Sequence, residues 1–391
     1  MSSGTKKKNK PLKIIHLHQV NFNKPHNYSS EESDFYYVAS WAGLIARKLA
    51  QQYPEKDIEV WKTEKAVPEL KTANVFGLQA RVFPYKYPVI KQTLTFAMLR
   101  EIYKLSRQYT LIIHYHSVFD QFTFLGPWIL RNTKIFLTHH GVAPLHVNKK
   151  WKFRFKRLLA RISYPRIHCI TFLNERMKNL LQSLPHHPPL QFLTVGADFQ
   201  IFKPEKKEEA RKKLGLDADK TYAIYVGRLY RLKGVDKILD VQEQLKKRYN
   251  FEVIFVGADS PKEPEIHKRV LNSGNPYFGV QKYTDMNTFY NAADFYIHPV
   301  FNEDVGFDAS LMESMACGRP VVSTRLEIAD FDTIELGLSV NSEKDIIEKT
   351  KYMIHNFSNY NHVRETAFNY FDSNTAIPDR IMKMYYKDDK N

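Results

Sequence analysis

Apolar runs of strand length alternate with helix-patterned segments along most of this chain, and that alternation constrains its fold most. Lys13–His18 reads as a first strand. Asp34–Gln52 carries Phe35, Val38, Trp41, Leu44, Ile45 and Leu49 at helical spacing. Further strands are expected at Ile58–Trp61, Gln79–Pro84, Thr110–Tyr115, Lys134–Thr138, Arg166–Phe172 and Phe192–Val195. Helices are expected between them at Leu94–Arg107, Phe122–Leu130 and Asn174–Leu184. The second half repeats the pattern, with strands at Tyr222–Val226, Glu252–Val256, Phe295–Pro299 and Pro320–Ser323 and helices at Lys237–Leu245 and Ser310–Cys317. Parallel strands need long crossovers, and helices serve as those crossovers while covering both sheet faces. The pattern therefore predicts an α/β protein with doubly wound parallel sheets. At 391 residues the chain exceeds one ordinary core, so two domains are expected.

Composition narrows the class. The hydrophobic share, 43%, is that of a soluble globular protein. Cys169 and Cys317 sit in apolar runs, which fits buried thiols in a reducing cytoplasm better than a disulfide. The first residues, MSSGTKKKNKP, are polar and basic, so no secretory leader is expected and residues 1–11 are read as disordered. Nothing approaches the ~18 consecutive apolar residues of a membrane-spanning helix. The net charge of +16 invites three partners: nucleic acid, an anionic membrane surface or anionic small molecules. No RNA-recognition, zinc-finger or helix-turn-helix pattern is present, which sets nucleic acid behind the other two.

Two segments carry chemistry. In the first, Tyr222–Val226 ends at Gly227; Arg228 and Lys233 follow in a loop; Val235 opens a helix. Strand, glycine turn, cations and helix form a cradle for phosphate. Arg228 can bind two oxygens of a diphosphate and Lys233 a third. Read blandly, both are solvated loop cations. The second segment, NEDVGFDASLMESMACGRPVVST, is an acidic loop, a helix, a Gly318–Pro320 stop and a short apolar run. Glu313, one turn into that helix among Leu311, Met312, Met315 and Ala316, can accept two hydroxyl hydrogen bonds. A buried carboxylate without a partner would be costly.

GRLYRLKG followed by AADFYIHPVFNEDVGFDASLMESMACGRPVV resembles the retaining glycosyltransferases of family 4, which have the GT-B fold. VGADFQIFKP resembles that family's interdomain segment, FLTHHG its strand-end His motif, and Ala367–Tyr386 its C-terminal segment that returns to the first domain. The resemblance covers most of the chain. It implies two Rossmann-like domains facing across a cleft: an acceptor domain at 1–200, a donor domain at 201–366 and a returning segment at 367–391. It further implies a nucleoside-diphosphate sugar as donor, a saccharide or lipid-linked hydroxyl as acceptor, and no metal or other cofactor. Arg228 and Lys233 are then the donor diphosphate ligands, and Glu313 is the second Glu of the Glu-x7-Glu motif, on the donor ribose. His140, directly before Gly141, contacts the transferred sugar or positions the acceptor. Gly227, Gly306, Phe307 and Val280 complete the donor side.

The chain departs from the family pattern in two places. Without a gap, the first Glu of the motif falls on Val305, and Asp308 replaces the second Gly of the family's loop. With a two-residue insertion, Glu303 takes that place instead. Glu303, Asp304 and Asp308 are thus the alternative carboxylates for the sugar. At the N-terminal loop, NYSSEESDFYYV lacks the family's Gly-Gly; Ser33 or Asp34 can cap the helix there and stand as acceptor-side candidates.

His139 and His140 end one strand, His114 and His116 another, and His16 and His18 the first. His139 and His116 are taken as acceptor-side candidates. The cluster also suggests zinc, but no zinc-ligand spacing or neighbouring carboxylate supports it. Asp217–Asp219 and Asp330–Asp332 read as turns rather than metal ligands. Lys149–Arg166 has eight basic residues and no acid. Trp151, Phe155, Leu158, Leu159 and Ile162 share one helical face, with Lys152, Arg154, Lys156, Arg157 and Arg161 mainly elsewhere. That is either a packed helix with a solvated basic face or a membrane-surface segment, for which Trp151, Lys152, Arg154, Lys156 and Arg157 are the candidates. The expectation is a cytoplasmic glycosyltransferase, peripheral on the inner face of a membrane. Its rivals are a binding-only relative, favoured by the broken motif, and a basic nucleic-acid-binding protein.

Overall fold

The computed structural model describes residues 10–18, 35–39, 41–64, 67–85, 94–117, 120–138, 151–173, 175–301, 308–324 and 334–387. The chain forms two compact units, 1–193 with 378–391, and 194–377.

The first unit is built on strands β1 (Leu12–His18), β2 (Asp57–Glu64), β3 (Lys71–Val75), β4 (Leu78–Pro84), β5 (Thr110–Tyr115), β6 (Lys134–Thr138), β7 (Cys169–Phe172) and β8 (Leu190–Phe192). Their order across the sheet is β3-β4-β2-β1-β5-β6-β7-β8. All neighbours are parallel except β3 with β4. β1 and β5 are buried on both faces, which is why they read as nearly continuous apolar runs. β3 escaped the sequence reading because Lys-Thr-Ala-Asn-Val has no apolar alternation; it is a half-exposed polar edge. Six helices lie between the strands: α1 (Tyr36–Ala39), α2 (Trp41–Gln52), α3 (Phe96–Gln108), α4 (Gln121–Ile129), α5 (Trp151–Ser163) and α6 (Glu175–Gln182). Local signals set their starts. Thr95 caps α3 by accepting from the Met98 N–H, and Asp120 with Thr123 forms a reciprocal capping box on α4.

The second unit has strands β9 (Thr221–Val226), β10 (Phe251–Val256), β11 (Phe295–His298), β12 (Val321–Ser323) and β13 (Gly337–Ser339), in the order β10-β9-β11-β12-β13 and all parallel. Helices α7 (Lys207–Leu214), α8 (Val235–Leu245), α9 (Pro264–Asn272), α10 (Met286–Ala292), α11 (Ala309–Ala316), α12 (Glu343–Asn356) and α13 (Val363–Phe371) accompany them. Ile238, Leu239 and Leu245 of α8 pack with Val253 and Phe255 of β10, Ile266 of α9 and Met353 of α12 in one apolar core. Asp294 is buried beside this sheet. It accepts hydrogen bonds from the Arg211 guanidinium and the Tyr222 N–H, both at 2.8 Å, and from Lys207 Nζ at 2.7 Å. These tie α7 to the entry of β9, and a buried charge so fully met is tolerated.

A last helix, α14 (Ala376–Tyr386), belongs to the first unit from Pro378 onward. There Asp379 accepts from Gln52 Nε2 and the Tyr53 hydroxyl, and the Tyr385 ring packs edge-on against Phe136. No helix among the described residues is long and apolar enough to cross a membrane.

Candidate functional site

In the second unit the chain leaves β9 for β10 on one side and later returns to place β11 on the other. β9 and β11 therefore part at their carboxyl ends, where open parallel sheets bind ligands. Sequence reading placed Gly227, Arg228 and Lys233 after β9 and Asp308 and Glu313 after β11, and the fold joins the two segments through Lys233 and Asp308. Backbone bonds fix the turn after β9: Gly227 N–H donates to Val256 O and Leu229 N–H to Ala258 O. Gly234 then begins α8 with φ +73°; a Cβ there would fall 2.1 Å from the Pro299 carbonyl oxygen, so only glycine lets this turn lie against the end of β11.

Arg228 is exposed, its guanidinium 5.9 Å from the Tyr230 ring centroid. Lys233 reaches across the crevice to Asp308, Nζ to Oδ2 3.0 Å, and the same carboxylate accepts from His298 Nε2 at 2.8 Å. Burial alone would raise the Asp308 carboxyl. The His298 hydrogen bond and the charges of His298 and Lys233 outweigh it and hold the group well below the usual carboxylate range. Glu313, one turn into α11, is in the opposite situation. It is buried and accepts one hydrogen bond from the Tyr290 hydroxyl at 2.6 Å. Burial pushes it up to about 7, with the Tyr290 bond opposing. At neutral pH it is poised between acid and anion. Beside it, Ser310 Oγ and the Tyr296 hydroxyl are 2.8 Å apart.

His298, Tyr290 and Tyr296 were missed as site residues. The string AADFYIHP held two of them, but as part of an apolar strand they read as core. Tyr290 lies on α10, and nothing in its local sequence pairs it with a carboxylate 23 residues on. Val280 follows Gly279 in an exposed turn after β10. His139, His140, Ser33, Asp34, Glu303, Asp304, Val305, Gly306 and Phe307 lie outside the described residues. Asp219 N–H donates to Asp217 Oδ1 at 2.9 Å, the geometry of a turn; Asp330 and Asp332 lie outside the described residues. Cys169 and Cys317 are buried thiols outside any disulfide.

In the first unit, His116, one residue past β5, belongs to a buried group with His16 and His18 of β1 and His114 of β5. Residues two apart share a sheet face, and His16 lies opposite His114 in the register. His16 Nδ1 and His116 Nε2 share a hydrogen bond of 2.8 Å; His114 bonds the Tyr385 and Thr138 hydroxyls through its two nitrogens. The ligand nitrogens of His16, His114 and His116 lie within 4.8 Å of one another. Their rings, however, are stacked: His114 on His116 at 4.6 Å and 17°, His16 on His116 at 5.1 Å and 28°. The group is a hydrogen-bonded stack that holds β1 to β5.

α5 bears on the two readings that the sequence left open for it. Trp151, Lys152, Arg154, Lys156 and Arg157 lie on this helix, and nothing is described of their side chains. Phe155, Leu158 and Ile162, which share one helical face in either reading, are half-exposed, against the packed-helix alternative. The inward contacts come instead from the small residues Ala160 and Ser163, the latter donating to Phe124 O of α4 at 2.8 Å.

The histidine stack makes the first unit acid-sensitive. Burial pushes His16 down to about 3, against an ordinary value near 6.5. Below about pH 6.5 the unfolded chain takes up a proton that the folded one refuses, so stability falls as pH drops toward about 3, by about 1.4 kcal/mol per unit. Denaturant titrations at pH 7, 6 and 5 should show that slope. In His16→Asn, which keeps a polar group but cannot titrate, it should be shallower by one proton.

With this geometry in place, the relatives can be set beside it. Residues 220–356 match the family model for Glycosyl transferases group 1. The chain is similar to an uncharacterized glycosyltransferase of Methanocaldococcus jannaschii, 23% identical over 257 residues, 62% of this chain and 65% of that protein. It is also similar to the D-inositol 3-phosphate glycosyltransferase of Arthrobacter sp., 29% identical over 160 residues, 38% of this chain and 37% of that one. The chain thus matches less than two thirds of the length of these curated relatives. Among solved structures it is similar to Anabaena HepE in complex with UDP, with TM-score 0.68 and 15% identity, covering 96% of this chain and 100% of that one; the same protein was also solved with UDP-glucose. At that identity the likeness speaks for the fold alone. Residues 220–356, within the second unit, thus match glycosyl transferases group 1, and the fold is that of the GT-B glycosyltransferases.

Proposed function

We propose that the protein moves a sugar from a nucleoside-diphosphate sugar to a hydroxyl of a saccharide or lipid-linked acceptor, with retention at the anomeric carbon and without a metal ion. The observation that carries this reading is the pairing of Lys233 with Asp308 at the β9–β11 crevice, with Arg228 in the same loop as Lys233 and a buried, half-neutral Glu313 one turn into α11. Arg228 offers two donors to a diphosphate and Lys233 a third. An incoming phosphate takes Lys233 from Asp308, which keeps His298. Two ribose hydroxyls donating to Glu313 supply the hydrogen bonds its buried anion lacks. As the glycosidic bond breaks, negative charge grows on the departing diphosphate, and the two cations stabilise it. The acceptor hydroxyl attacks from the face that the diphosphate leaves, within an ion pair, so no protein nucleophile is required. His140 and the loop 303–308 face the sugar in this reading. UDP-glucose, which Anabaena HepE binds, is the first donor to try.

The same reading puts the protein in the cytoplasm, peripheral to an anionic membrane surface, with no nucleic-acid partner. One observation favours a second reading, binding of a nucleotide-sugar without transfer: the Asp308 carboxylate already occupies Lys233.

Arg228→Ala and Lys233→Ala should each lower turnover by about 10²-fold or more with the melting temperature unchanged, the scale for losing one preorganised charge contact. Chelator added to the same assay should leave turnover as it was. Normal donor binding with no transfer to any acceptor would establish the second reading. Glu313 gives a separate signature. Its ionised form binds ribose, so donor affinity should weaken by about tenfold from pH 8 to pH 6, following its value of about 7. A diphosphate esterified at both ends lacks the monoester ionisation near pH ~6 that would confuse the measurement. Calorimetry on Glu313→Gln should find weaker binding with no such pH dependence.

A further inference from the structure

We infer that α4 and α5 together form a docking face for an anionic membrane surface, anchored by exposed apolar side chains from both helices. The inference rests on the peripheral-membrane part of the reading above and is independent of sugar transfer. Leu125, Trp128 and Ile129 stand at i, i+3 and i+4 on α4 and are 46%, 37% and 51% exposed. Phe155, Leu158 and Ile162 stand at i, i+3 and i+7 on α5 and are 53%, 51% and 51% exposed. Stripes of this period normally face a core. Here two of them face outward on helices that pack against each other. The Trp128 indole N–H donates to Ser163 Oγ of α5 at 3.2 Å, which fixes one stripe beside the other. Large exposed patches of this kind mark interaction sites.

Charge selects the occupant. From Gln121 to Asn174 the chain has no Asp or Glu and ten Lys or Arg. Arg131, Arg161 and Arg166 among them are exposed, and the Arg166 guanidinium lies 3.7 Å over the Trp128 ring. A cation stacked on an indole at the rim of an apolar stripe suits the headgroup boundary, where the ring enters the acyl region and the cation meets lipid phosphate. A second copy of this chain, joined face to face, would bring two such basic segments together and repel. Nucleic acid would satisfy the cations but leave both apolar stripes wet.

The test is co-sedimentation with vesicles of phosphatidylcholine carrying roughly one third phosphatidylglycerol, an anionic surface that attracts basic segments. Wild type should bind these and leave pure phosphatidylcholine vesicles at least tenfold less occupied. Leu125→Ser with Ile129→Ser, and separately Phe155→Ser with Leu158→Ser, should each lower partitioning at least tenfold. All four positions are exposed, and thermal melts check that the fold is kept. Replacing Lys152, Arg154, Lys156 and Arg157 with Ser should lower it as well. The inference is overturned by unchanged binding of both apolar pairs, which would mean charge alone. It is equally overturned by a wild-type dimer in sedimentation velocity that the apolar pairs dissolve, with no vesicle binding. Nucleotide-sugar binding by the same variants reports on the second unit separately, so a failure of the transferase reading leaves this result standing.

Discussion

β9 pairs in parallel with β11 although β10 and three helices, α8, α9 and α10, separate them in sequence, and the candidate site depends on that pairing. It sends the turn after β9 and the segment after β11 out of the same sheet edge. The two lie so close that a side chain at Gly234 would collide with the Pro299 carbonyl. The same closeness lets Lys233 reach Asp308 and sets α11, with Glu313, beside the phosphate-type turn. Without this crevice, the cations and carboxylates would be scattered loop charges, screened and of little consequence.

Within it two carboxyl groups 5 residues apart are driven in opposite directions. Asp308 meets an ammonium and an imidazole and stays ionised; Glu313 meets one phenol and apolar side chains and is half-protonated near neutrality. Environment, not residue type, separates their tasks. Asp308 already has its counter-charges, so any anion entering must compete with it. Glu313 has unspent capacity to accept, so a ligand bringing hydroxyl donors gains from it.

Much of this was legible in the sequence, for local reasons. Thr110–Tyr115 and Lys134–Thr138 were read with the ends found in the structure, because buried parallel strands are uninterrupted apolar runs between turn residues. β3 and β13 were not read: one is a polar edge, and the other is Gly337–Ser339, too short to hold a pattern. At the site, Gly227, Arg228, Lys233 and Glu313 were named because glycine, cations and a carboxylate at a helix start announce their chemistry locally. His298 and Tyr290 were not, since their meaning comes from partners 10 and 23 residues away that only the fold brings near. The face of α5 was left open between two readings for a related reason. Helical periodicity says which residues share a stripe but not whether a neighbour covers it, and here Ala160 and Ser163 make the contact instead.

The central claim is that a nucleotide-sugar binds at the β9–β11 crevice. Hydrogen–deuterium exchange, with and without a saturating nucleotide-sugar chosen from a calorimetric panel, tests it most directly. Bound donor should slow exchange in the turn from Gly227 to Asp236 and in the first turn of α11, since those amides line the crevice. Tight binding with no change in either segment would contradict the account, and so would the failure of every nucleotide-sugar in the panel to bind.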